Sequence, residues 1–235
     1  MRTKLLYVII FSLFFQWIYS QEKKDDFLRF NIKYKNESLI QNKKYISLSK
    51  DTLQIETFRF YVSNIKLILI DNSEISEEKS YHLINIEEPN SQIISISKNL
   101  NKEIKKVVFS LGIDSTASVS GALSGDLDPT KGMYWAWQSG YINFKIEGKS
   151  SSCKTRNMAF QFHIGGYLKP NYAIRTIELE TKNSNFEINV DLAELFNQIK
   201  LSEINSIMIP GSKAMDIADN AKLMFTISES LPNEK

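Results

Sequence analysis

Few side chains in this sequence can do chemistry beyond packing. It holds two histidines, His82 and His163, one cysteine, Cys153, and a polar stretch, IDSTASVSGALSGDLDPTKG, that carries Asp126 and Asp128. Just after that stretch comes MYWAWQSGY, with Met133, Tyr134, Trp135, Trp137 and Tyr141. Two histidines exclude a three-histidine catalytic zinc site, and a Cys/His structural site lacks ligands. No G-x-S-x-G elbow, phosphate-binding loop or dinucleotide fingerprint occurs. The spacing allows a thiolate–imidazole pair of Cys153 with His163, but nothing around either residue supports it. Asp126 and Asp128 offer the hard oxygen ligands that Ca²⁺ takes, and Asp128-Pro129 with Lys131-Gly132 equally has the chemistry of a turn. Met133 and Met158 are either thioether ligands or strand filler. No acid, base and nucleophile stand at a recognisable spacing, so a binding protein is expected rather than an enzyme.

The elements that must position these residues are strands. In FLRFNIKY, Leu28, Phe30, Ile32 and Tyr34 alternate with polar neighbours, the period of a half-buried strand. The same pattern predicts strands in KKYISL, TFRFYVSNIKLILI, YHLINIE, SQIISIS, IKKVVFSLGI, MYWAWQSGYINFKIEG, MAFQFHIGG, AIRTIELE and FEINVD. Polar connections between them predict an all-β fold, an antiparallel sandwich or Greek-key barrel, as one domain over residues 24–229. Two short helices are expected late in the chain. Asp191 before Leu-Ala-Glu194 reads as a capping box opening LAELFNQIK, and GSKAMDIADNAKLMF has near-helical apolar spacing. Residues 113–132 read as a long loop, and such loops often carry function.

Parity then sorts the candidates. Met158, Phe160, Phe162 and Ile164 share one strand face, which turns His163 away from the core with Gln161. Ile142, Phe144 and Ile146 form the expected core face of the preceding strand, and Trp135 and Trp137 fall on the other. Either Gly140 marks a bulge that returns the tryptophans to the core, or they stand on the non-core face. In the second case His163 shares a side with them. His82 matches no ligand pattern and reads as a solvent-side strand residue.

The first residues, MRTKLLYVIIFSLFFQWIYSQ, have the basic start, apolar run and small residue of a secretory signal peptide over residues 1–20. Its removal takes Arg2 and Lys4 from 29 basic residues, leaving 27 against 27 acidic ones. A near-neutral mature chain without a basic patch argues against a nucleic-acid partner. With one cysteine no internal disulfide can form, and with Trp17 in the leader, Trp135 and Trp137 are the whole tryptophan content of the mature protein.

MYWAWQSGY, followed by FHIGG and IADNAKLMF and preceded by TFRFYVSNIKL, resembles the MbnP-like family of exported copper-binding proteins named for methanobactin-associated operons. The resemblance runs in order over nearly the whole mature chain. It implies a β-rich periplasmic or secreted domain and a MauG-like diheme partner that oxidises a tryptophan to kynurenine beside a copper held largely by histidines. Residue by residue, the W-x-W motif falls on Trp135 and Trp137 and the F-H-[IL]-G motif on His163. Where the family pattern carries a second histidine, in N-H-x-D-P, this chain reads Gly125-Asp126-Leu127-Asp128-Pro129. The resemblance therefore implies copper ligation by His163, with Asp126, Met133 or a modified tryptophan as further ligands. A metal-free alternative from the same residues is an aromatic surface of Trp135, Trp137, Tyr134 and Tyr141 that stacks on a sugar, peptide or partner protein.

Overall fold

A computed structural model describes residues 25–77, 80–98, 103–138, 140–181 and 186–229; the leader reading over residues 1–20 lies outside them. The strands are β1 (Asp25–Tyr34), β2 (Glu37–Ser38), β3 (Lys44–Ile46), β4 (Thr52–Leu69), β5 (Glu74–Ser76), β6 (Tyr81–Asn85), β7 (Ile93–Lys98) and β8 (Ile104–Leu111). They continue as β9 (Tyr134–Trp135), β10 (Gly140–Ser150), β11 (Ala159–Gly165), β12 (Arg175–Glu180), β13 (Phe186–Asp191), β14 (Ser206–Ile207) and β15 (Phe225–Glu229). Among the described residues three short α-helices interrupt them: α1 (Ser115–Val119), α2 (Leu192–Phe196) and α3 (Ser212–Ala221).

Two sheets face one another. The smaller runs β15-β13-β1-β2, with β7 also on β1. The larger runs β12-β8-β4-β10-β11-β14, with β3, β5 and β6 also on β4 and β9 on β10. The alternation in β1 does what its spacing predicts: Leu28, Phe30, Ile32 and Tyr34 are all buried against the larger sheet. Phe30 meets Phe60 of β4 edge-on at 5.9 Å and Phe109 of β8 at 5.7 Å, and Phe225 of β15 packs on both of those rings. Apolar faces of the two sheets thus interdigitate into one core, which makes the fold an all-β sandwich.

The architecture departs from the sequence reading in pairing and in helix count. Pairing is not purely antiparallel, because β1 runs parallel to β13 and β11 parallel to β14. The two late helices are present, and the Asp191 side chain accepts the Ala193 N–H at the start of α2. The third helix, α1, lies inside the stretch read as loop and is capped by Asp114, whose carboxylate accepts the Ala117 N–H. Met158, expected on the core face, is exposed in a turn with a φ of 56° before β11 begins. No helix among the described residues is long and apolar enough to cross a membrane.

Candidate functional site

The larger sheet is covered by the smaller one on its inner face and, at one end, on its outer face as well. Its outer face, away from the smaller sheet, carries a second apolar cluster of Tyr61, Leu83, Ile113, Ala117, Leu127, Met133, Trp135, Tyr141 and Ile142. Residues 113–135 are therefore a folded cover. Tyrosine hydroxyls rising from the sheet fasten it: Tyr61 donates to the Asp126 carbonyl at 2.9 Å, Tyr141 to the Leu127 carbonyl at 3.0 Å, and Tyr81 to the Asp114 carboxylate at 2.7 Å. Burial raises the pKa of all three phenols, that of Tyr81 to about 12, so they stay protonated donors. Arg59 adds a hydrogen bond from its guanidinium to the Lys131 carbonyl at 2.8 Å.

The tryptophans stand on this outer face. Trp135 opposes Gly140 in the β9–β10 hairpin and is buried. Its ring lies over Gly165 of β11, where an added Cβ would meet Trp135 Cζ3 at 2.8 Å. Trp137, at the hairpin tip, is 63% exposed, with its ring centroid 5.9 Å from that of Trp135. Gly140 is not the bulge. The β10–β11 register shifts between Ile142 and Phe144, around Asn143, whose side-chain oxygen accepts the Ile113 N–H. That extra residue turns Ile142 out of the main core into the cover's cluster, whereas Phe144 and Ile146 keep the core face.

The polar candidates are distributed as follows. His163 lies on the outer face of β11, opposite Lys145 of β10, and donates from Nε2 to Glu147 Oε1 at 2.6 Å. Lys145 Nζ is 3.6 Å from the same oxygen. The His163 hydrogen bond, aided by Lys145, holds the Glu147 carboxyl below the usual glutamate range. Asp126 is occupied structurally: its carboxylate accepts the Leu83 N–H of β6 at 3.0 Å and pairs with Lys131 at 2.6 Å. Asp128 caps a single turn at residues 129–131, accepting both the N–H and the hydroxyl of Thr130, which lowers its pKa. Met133 is fully buried in the cover. Cys153 is buried at the far end of β10, its thiol directed at the Leu201 carbonyl at 3.7 Å and its pKa pushed up by burial. His82 is bound to Glu77 at 3.0 Å. Of the four aromatics proposed as a surface, Trp137 alone is exposed; Trp135 and Tyr141 are buried and Tyr134 half-buried.

Comparison with known proteins now bears on this geometry. A sequence model of the MbnP family matches residues 25–209. The chain belongs to the MbnP family. MbnP from Methylosinus trichosporium has a similar fold, with a TM-score of 0.59 at 12% identity over 80% of this chain and 82% of that one. No curated protein matches.

MbnP membership raises copper, and the donors among the described residues fit one ligand position rather than a complete ligand set. His163 is 8% exposed and carries a carboxylate on Nε2, an arrangement that would orient a ligating imidazole and leave Nδ1 for a metal. Asp126 and Met133 do not join it: one is spent on Lys131 and Leu83, and the other is sealed in the cover. No group of three or more His, Cys, Asp or Glu side chains able to hold a metal occurs among the described residues. Glu147 is the site residue the sequence reading missed. It stands diagonally across the ladder from His163, and only the register Lys145↔His163 and Glu147↔Gln161 brings it within reach.

Proposed function

We propose that this chain is an exported, non-enzymatic copper-handling member of the MbnP family that engages copper through one imidazole, His163. The observation that carries this reading is the His163–Glu147 hydrogen bond at 2.6 Å, a preorganised support for a ligand. Imidazole suits both copper oxidation states, and single-ligand engagement suits a protein that passes the metal on. A MauG-like diheme oxidase remains the expected partner, and Trp137, exposed at the hairpin tip, is the tryptophan open to oxidation. Copper titration of the mature protein in both oxidation states tests this. Stoichiometric binding is expected to vanish in His163→Ala and to weaken about tenfold or more in Glu147→Gln. Absence of binding, or binding that survives His163→Ala, removes copper from the reading.

A second reading rests on a separate observation. Trp137 shares its end of the larger sheet with Leu168, Tyr172, Met208 and Ile209, all exposed. The segments that carry them are neighbours, since Tyr167 packs on Gly140 of the hairpin and Pro210 on Gly166. Two aromatics with three aliphatic or thioether side chains, all exposed, favour a protein partner over a sugar. Loss of partner binding in Trp137→Ser, with copper binding unchanged, would separate this surface from the metal reading.

A further inference from the structure

The opposite end of the sandwich holds a cleft that neither reading uses. β10 has its tryptophan-proximal end at Gly140 and its other end at Ser150, so cleft and tryptophans are separated by roughly 30 Å of strand. The cleft has a volume of about 550 Å³, within the range of small-molecule sites.

Three segments distant in sequence wall it, and each contributes hydroxyls. The turn between β3 and β4 brings Ser47 and Ser49, the end of β10 and the turn after it bring Ser150 and Ser152, and the segment after α2 brings Ser202. Asn197 and Gln198 add amides on the α2 side. The walls are set by their own hydrogen bonds. Ser47 Oγ accepts the Asp51 N–H at 3.1 Å, and the Ser150 and Ser152 hydroxyls lie 2.9 Å apart. Beneath them Leu53, Phe196, Ile199 and Leu201 form a buried apolar floor, and Leu48 projects at the lip, 67% exposed.

Charge narrows the ligand. Among the described residues Asp51 and Lys200 are the ionic ones lining the cleft, and Lys200 is paired with Glu203, so the lining offers no cluster of like charge to hold a phosphate or a polycation. Hydroxyls and amides that both donate and accept match a partner whose groups do the same, and an apolar floor suits the C–H face of a ring. We infer that this cleft binds a small neutral polyol, a mono- or disaccharide, independently of the His163 site.

The test is amide-resolved NMR titration of the mature protein with D-glucose and with maltose, using inorganic phosphate as a charged control. Saturable shifts are expected at residues 47–51, 150–152 and 197–202 with at least one of the sugars, and none with phosphate. The exposed-rim substitutions Ser49→Leu and Asn197→Leu should each weaken binding about tenfold and leave the thermal midpoint unchanged, whereas His163→Ala should leave sugar binding intact. The inference is overturned if neither sugar shifts these amides, if the shifts centre on Trp137, or if both rim variants bind as the parent does.

Discussion

Glu147 and His163 share one short hydrogen bond, and acid is the reagent that should cut it. The Glu147 pKa is depressed in the fold, so the bond stabilises at pH values above the ordinary glutamate range and is lost as pH falls through the depressed value. Glu147→Gln should cost on the order of 1 kcal/mol at neutral pH and should lose less stability than the parent between pH 7 and about pH 4. Urea midpoints at the two pH values measure this, and parallel losses in parent and variant would exclude the linkage. The tryptophans should also behave as two populations. Acrylamide should quench Trp137 and spare Trp135, and Trp137→Phe should remove the quenchable fraction with a change in stability under about 0.5 kcal/mol. At this scale the sequence showed His163 turned from the core but hid what it touches, because a diagonal cross-strand partner depends on a register that no single strand encodes.

The β9–β10 hairpin and β11 position the tryptophans as a unit. Gly165 makes this possible, for an added Cβ would lie 2.6 Å from the Tyr141 carbonyl oxygen and 2.8 Å from the Trp135 ring. Gly165→Ala should therefore cost about 1–3 kcal/mol and raise quenching of Trp135 as its ring is displaced. An unchanged denaturation midpoint would show that the ring has room to slide. Long strands were legible in the sequence because period-two alternation over six or more residues has few other solutions. The two-residue strands β2 and β14 and the five-residue helix α1 were not, since so short an element holds little more than one repeat of its own pattern, and MYWAWQSGYINFKIEG, read as one strand, folds back on itself as the β9–β10 hairpin. The bulge at Asn143 escaped for a related reason. One extra residue flips Ile142 to the other face without altering its apolar character, so composition offers no trace of it.

Across the whole molecule, the main core resembles what the alternating strands promise, and the second does not. Sheet faces expected to meet water are sealed at one end by residues 113–135, whose Ser, Gly and Asp content looks like loop. What the sequence could not reveal is that the sheet beneath supplies the tyrosines that hold this polar segment down.

The cover has a thermodynamic consequence. It meets the sheet through a small apolar cluster and a few polar latches, whereas the two sheets share an extensive core. Unfolding should therefore divide into two cooperative units, with residues 113–135 opening below the global free energy. Asp126→Ala, which leaves the Leu83 N–H and Lys131 without their partner, should lower that local opening by about 1–3 kcal/mol. Hydrogen exchange should then speed up at amides of the cover while β4 and β10 keep their protection. A uniform change across both would mean that the cover and the sandwich melt as one body. If they separate, a partner could gain entry to the buried Trp135 while the rest of the protein stays folded.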